Sequence, residues 1–169
     1  GLLGIASQDN LIYIAYTNQN IDSSHSLIVD GYSMSFSKVR NIIEINDFGS
    51  IHFGGNLLFD NLGRLYLSVG DGSQSDEAQN LGSLKGKILR LDTSELKQEP
   101  EIIAYGVRNP WGVSIDSNDR MFVLQCGAYD AEAVYLLKDI YSGIPENLGW
   151  PVFEGTKKQK QSSITLEDV

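Results

Sequence analysis

The sequence predicts an all-β fold, and three observations predict it. An alternating apolar strand behind a turn rich in Asn, Asp and Gly occurs three times at near-regular spacing. Further short apolar runs fill the intervals between those copies. No segment of a dozen or more residues shows helical periodicity without a Gly or Pro nearby. The three copies begin at Gln8-Asp9-Asn10, Asp60-Asn61-Leu62-Gly63 and Asp116-Ser117-Asn118-Asp119, and their strands carry an aromatic at Tyr13, Tyr66 and Phe122, a period of 53–56 residues. In the second and third copies an Asp precedes an Arg by four residues, at Asp60/Arg64 and Asp116/Arg120. Each turn joins two short apolar runs, as residues 56–59 are joined to 65–69, which is the pattern of a β-hairpin.

Taken in order, the chain opens on an apolar segment at Gly1-Leu2-Leu3-Gly4, and the first repeat strand follows at residues 11–16. Short strands are expected at 26–29 and 38–45, then at 56–59 and 65–69, 87–91 and 102–105. The third repeat supplies 121–125, and a last run stands at 134–137. Single helical turns are expected at 81–84 and 140–147. Several short strands per unit of about 55 residues match a four-stranded blade. The fold predicted is a partial six-bladed β-propeller, about three blades of antiparallel four-stranded sheets over residues 1–155, with a polar C-terminal tail over 156–169. A β-sandwich with chance similarity between hairpins is the alternative. Closed propellers have about 4–8 blades, and three open blades leave apolar sheet faces without partners. A homodimer or a missing second half is therefore expected to complete the ring.

Composition narrows the function classes. The 169 residues carry 13 basic and 22 acidic side chains, a net charge of −9, with 41% apolar residues. This is the profile of a globular protein rather than a disordered one. The acidic surplus argues against a nucleic-acid partner, which needs clustered cations. The cluster Lys157-Lys158-Gln159-Lys160 reads as a solvated end. No apolar run approaches the roughly 20 residues of a membrane span. The single Cys126 excludes an internal disulfide. The start at Gly1, without Met or a leader pattern, reads as a processed protein or a piece of a longer one.

Specific motifs add a family. His52-Phe53-Gly54-Gly55-Asn56, followed by Gly63-Arg64-Leu65-Tyr66 through Gly70-Asp71-Gly72, resembles the His-x-Gly-Gly hairpin of the glucose/sorbosone dehydrogenase family. Gln79-Asn80-Leu81-Gly82 through Leu91-Asp92 is similar to its next stretch. Arg108-Asn109-Pro110 matches its Arg-Asn-Pro motif, and Asn147-Leu148-Gly149-Trp150-Pro151 its Asn-Tyr-Gly-Trp-Pro motif. Gly1-Leu2-Leu3-Gly4 resembles its opening. The resemblance runs in order from Gly1 to about Gly155 and corresponds to the first half of family members.

It implies a six-bladed propeller that oxidises the anomeric carbon of an aldose, with pyrroloquinoline quinone (PQQ) and calcium as cofactors. A periplasmic or secreted location and an external electron acceptor are implied with it. His52 is then the base that takes the hydroxyl proton, a role that suits an imidazole titrating near neutrality. Arg108 is the cation that polarises the quinone. Asn109 and Gln125 are cofactor contacts, and the backbone carbonyls of Cys126 and Gly127 ligate calcium, which takes hard oxygen donors. Read from the residues alone, His52 in a hydrogen-bonded turn, Arg108 paired with a carboxylate and Cys126 as a small buried side chain remain open.

Ile51 and Ala131 stand where glucose-oxidising members carry acids, which keeps a second reading in view: a non-catalytic propeller used for binding, as in the related hedgehog-interacting proteins. A calcium-dependent lactonase-type propeller is a third reading, for which the sequence offers no inward set of carboxylates. The acidic stretch Asp71–Glu77 lacks EF-hand spacing and reads as a solvated turn. Gly70-x-Gly72-x-x-Ser75 lacks the last Gly of a dinucleotide fingerprint. His25, with no motif around it, is expected to be exposed.

Overall fold

The computed structural model describes residues 1–93, 99–129 and 131–159. Consecutive strands pair antiparallel and build three sheets. The first contains β1 (Leu2–Gln8), β2 (Leu11–Gln19), β3 (His25–Ser33) and β4 (Lys38–Phe48), in that order. The second is built from β5 (Gly54–Phe59), β6 (Leu65–Val69), β7 (Lys87–Leu91) and β8 (Glu101–Tyr105). The third holds β9 (Pro110–Ile115), β10 (Met121–Gln125) and β11 (Ala133–Leu137). A short strand β12 (Glu146–Asn147) adds parallel to β8, and β13 (Phe153–Glu154) pairs with β14 (Lys157–Lys158).

The three repeats are therefore three blade-like sheets, as the period predicts. Four details differ from the expectation. The second sheet gains β12 as a fifth strand, and the third has three strands among the described residues rather than four. The helical turn expected at 81–84 forms instead at Ser75–Ala78, as a 3₁₀ turn. Residues 140–147 are turns and bends that end in β12. The first strands of the blades, β1, β5 and β9, lie side by side. Their close approach needs glycine: a Cβ on Gly4 of β1 would run into the backbone carbonyl of Gly55 in β5.

Period-2 alternation sorts the core. On β6, Leu65, Leu67 and Val69 face the first sheet and meet Ala15, Leu27, Val29 and Ile45. Tyr66, between them, faces the third sheet with Met121 and Val123. The middle sheet is thus covered on both faces, which is why all five residues of β6 are buried. The outer sheets are covered on one. Leu124, Val134 and Leu136 on the third sheet are exposed, as are Leu2 and Ile5 on β1.

The Asp/Arg repeat is a hairpin clasp used twice. In the second blade, Asp60 Oδ1 accepts the N–H groups of Leu62 and Arg64 at 2.9 and 2.8 Å, and Oδ2 accepts Arg64 Nε at 2.7 Å. In the third, Asp116 Oδ1 accepts the N–H groups of Asn118 and Arg120, and Oδ2 accepts Arg120 Nε at 2.8 Å. The fourth turn position is left-handed in both, Gly63 in one and Asp119 in the other. Asn61 Nδ2 ties the two turns together by donating to Asp119 Oδ1 at 2.8 Å. The first repeat closes differently, with Asp9 and Asn10 both at positive φ, the signature of a two-residue turn matched to strand twist.

Burial works against the Asp60 carboxylate, but the N–H and guanidinium of Arg64 and the Tyr66 hydroxyl outweigh it and hold its pKa below the ordinary 3.8. The stabilisation this represents is complete above that value and fades as acid protonates the folded form below it. Asp60→Asn is expected to cost about 2 kcal/mol near neutral pH, the scale of breaking a charge-assisted buried hydrogen bond. Denaturant midpoints of the two proteins should converge as the pH falls below about 4; equal stability at pH 7 would refute the clasp.

Candidate active site

All six residues singled out by the resemblance sit at one end of the blades, and alternation of strand direction explains it. His52 lies just before β5, Asp71 just after β6, Arg108 and Asn109 between β8 and β9, and Gln125, Cys126 and Gly127 at and after the end of β10. In an antiparallel meander those positions share one end. An open cavity of about 310 Å³ lies there, and His52, Asp71, Asp76, Arg108, Tyr129 and Trp150 are among its walls.

His52 has a left-handed backbone, φ +62°, uncommon for a residue with a Cβ. Its carbonyl accepts the Gly72 N–H at 3.1 Å, and the Phe53 carbonyl accepts the Gly70 N–H at 3.1 Å. The strained residue is thereby zipped to the segment after β6. That segment passes so close that a Cβ on Gly70 would collide with the His52 carbonyl. On its other side the Asp71 N–H donates to the Arg108 carbonyl at 2.7 Å.

Asp71 is buried, with both oxygens used. Its Oδ1 lies 2.8 Å from His52 Nδ1 and accepts the Ser73 N–H at 2.8 Å, while Oδ2 accepts Trp150 Nε1 at 2.9 Å. An ionised carboxylate only accepts, so Nδ1 donates in this contact, and in the neutral imidazole Nε2 is then the lone-pair nitrogen. This corrects the reading of residue 71 as part of a solvated acidic turn. The signal was present, since Asp71 directly follows a strand buried on both faces, but its partner lies 19 residues away and only the hairpin brings them together.

Arg108 and Trp150 also line the cavity, the guanidinium carbon 5.7 Å from the indole centre. The remaining residues sit behind the cavity. Asn109 Oδ1 accepts the Gly54 N–H at 3.2 Å, bracing the hairpin that carries His52. Gln125 Oε1 accepts the Arg108 N–H at 2.7 Å, and its Nε2 donates to the Tyr135 hydroxyl at 3.3 Å. Burial pushes the Tyr135 pKa up, so that hydroxyl accepts as a neutral phenol. The carbonyls of Cys126 and Gly127 both accept from Arg108 Nη1. Cys126 is half-buried, its Sγ 3.8 Å from Glu132 Oε1. Asp130 lies outside the described residues, as does the chain from residue 160 onward.

Two neighbours shape the rim. Lys87 is fully buried and donates to the carbonyls of Glu77, Ala78 and Lys85 at 2.8, 3.1 and 2.6 Å. It pins the 3₁₀ turn whose Ser75 and Asp76 line the cavity. His25 departs from expectation: it is half-buried, edge-on to Phe53 at 5.6 Å, because β3 carries it against the loop before β5.

A blade-built cavity walled by an oriented histidine, a fixed guanidinium and an indole defines a propeller with a binding site at its mouth. The Glucose / Sorbosone dehydrogenase family profile matches residues 1–168, and the chain belongs to that family. It is 26% identical over 173 residues to the aldose sugar dehydrogenase YliI of Escherichia coli K12, covering 86% of this chain and 43% of that protein. It is 33% identical to the HIPL2 protein of Arabidopsis thaliana, covering 83% of this chain and 24% of that one. The PQQ-bound aldose sugar dehydrogenase of Streptomyces coelicolor superposes with a TM-score of 0.71 at 24% identity, over 95% of this chain and 51% of that one. The chain thus spans about half the length, or less, of these relatives. No helix among the described residues is long and apolar enough to cross a membrane.

His52 is expected in the Nδ1–H tautomer by nitrogen NMR, and Asp71→Ala should shift it toward Nε2–H. Gly70→Ala should push His52 off its seat and abolish that tautomer preference as well; an unchanged spectrum in either variant would show that Asp71 does not orient the ring. Lys87→Met removes a buried ammonium that three carbonyls share, two of which keep a backbone N–H (Asn80 on Glu77, Gly106 on Ala78), and should lower stability by about 1–2 kcal/mol in denaturant melts.

Proposed function

We propose that this chain forms the half of a PQQ- and calcium-dependent aldose sugar dehydrogenase that carries the base, and that the intact protein oxidises the anomeric carbon of a sugar. The hydrogen bond from His52 Nδ1 to Asp71 carries this reading, because it orients the ring of a cavity-lining histidine and leaves Nε2 as the proton acceptor of the neutral imidazole. The residues present fit the cofactors. A planar, multiply anionic quinone finds a guanidinium and an indole face on one wall, and two carbonyl oxygens converge on one cationic nitrogen at a point where a hard metal ion can bind. PQQ, when bound, supplies the two-electron acceptor.

What the chain itself contributes is binding and proton handling. His52 Nε2 takes the proton from the anomeric hydroxyl, and Asp71 stabilises the imidazolium that results. Arg108 offers positive charge to an anionic ligand in the cavity. Trp150 keeps Asp71 aimed through its N–H, and Asn109 and Gln125 hold the two loops at fixed spacing. Calcium use, a periplasmic or secreted setting, an external electron acceptor and the contacts of Asn109, Gln125, Cys126 and Gly127 belong to the same proposal. The bare faces of β1 and the third sheet are ones that neighbouring blades cover in a closed ring, supplied by a second copy or by further sequence.

The test adds PQQ and calcium, follows dye reduction with glucose and other aldoses, and records the quinone absorbance kept after desalting. Turnover in the wild type with loss of at least about 100-fold in His52→Ala, PQQ still bound, is the expected result. Retained activity in His52→Ala would remove the base assignment. Absent quinone retention and absent turnover would favour the non-catalytic binding propeller. Light scattering should show a dimer if two copies close the ring, and a monomer if they do not.

A further inference from the structure

The pair of carbonyls assigned above to calcium already holds a positive charge. Arg108 Nη1 lies 3.3 Å from the Cys126 oxygen and 2.9 Å from the Gly127 oxygen, so both acceptors point at one nitrogen. A calcium ion needs oxygens at about 2.3–2.6 Å. It cannot share that point with a guanidinium, which would clash sterically and repel it electrostatically.

We propose that Arg108 is the resident cation of this carbonyl pair, and that a divalent cation binds there only by displacing it. The proposal rests on the calcium reading above, but it concerns the chain's own residues. Only the side chain has to move. The Arg108 backbone is fixed on both sides, its N–H on Gln125 and its carbonyl under the Asp71 N–H. The Trp150 ring centre lies 5.7 Å from the guanidinium carbon, so a guanidinium that leaves the carbonyls can close onto that face. A carboxylate is at hand beside the vacated point: Glu132 Oε2 accepts the Gly127 N–H at 3.2 Å. Among the described residues no cluster of three or more His, Cys, Asp or Glu can hold a metal. A cation arriving there competes with a tethered guanidinium for the same two carbonyl oxygens.

A consequence follows for ligand order. An anion in the cavity that draws the guanidinium toward itself frees the carbonyl pair, so anion and divalent cation each promote binding of the other. Arg108 is the element both ligands bias.

Calcium titration by calorimetry tests this. Arg108→Met removes the competing charge and keeps the side chain's length, and it should bind calcium at least tenfold more tightly than wild type. Arg108→Lys, which keeps a cation, should stay near wild type. Equal or weaker binding in Arg108→Met, or no binding to either protein at millimolar calcium, overturns the proposal. Should Arg108→Met melt early, the wild type decides: the Arg108 side-chain NMR signal must move as calcium saturates, and a fixed signal refutes displacement. Terbium emission sensitised by Trp150, lost in Trp150→Phe, places the ion at this wall. Gain of calcium affinity in Arg108→Met without any PQQ retention would leave this inference standing and remove the sugar dehydrogenase reading.

Discussion

The site depends on one buried carboxylate. Asp71 engages four parts of the chain at once: its N–H meets the loop before β9, one oxygen meets His52 and the turn at Ser73, and the other meets the indole of Trp150. Those partners come from both neighbouring blades' connections and from a loop 79 residues further along. A charged group is worth burying only where donors surround it, and here every donor is also a wall of the cavity. The same contacts that satisfy the charge therefore set the geometry of the pocket. The left-handed conformation of His52 persists because this frame over-determines it.

Much of the architecture was legible in the chain. The turns at Asp60/Arg64 and Asp116/Arg120 read as hairpins from the short apolar runs that each joins, while the carboxylate's bonds to two N–H groups and to the arginine emerge only in the structure. Strands such as 87–91 were found from their apolar runs. What composition and spacing missed depends on contact between distant segments. Asp71 looked like a solvated acid until β5 and β6 paired. His25 looked exposed until β3 set it against Phe53. The 3₁₀ turn at Ser75–Ala78 forms where it does because Lys87 collects its carbonyls, an interaction invisible to local propensity. The sixfold ring motif similarly says nothing of β12, which joins β8 in parallel through a long connection.

Among the site residues, His52 and Arg108 line the cavity, while Asn109 Oδ1 and the Gln125 amide also brace the loops around it. The motif residues around a site thus divide into those that face a ligand and those that hold them, and the sequence pattern alone does not separate the two.

The sandwiched position of the middle blade has a consequence for how the molecule comes apart. Among the described residues the main contacts of each outer sheet are with the middle one, so stability accumulates along the series as it does in a linear array of repeats. The outer blades can fray from their open sides while the central one, clamped from left and right, stays closed. Backbone amides of β6 and β7 would then exchange with solvent last, and the side of the pocket bearing His52 and Asp71 would outlive the side bearing Ala128 and Tyr129.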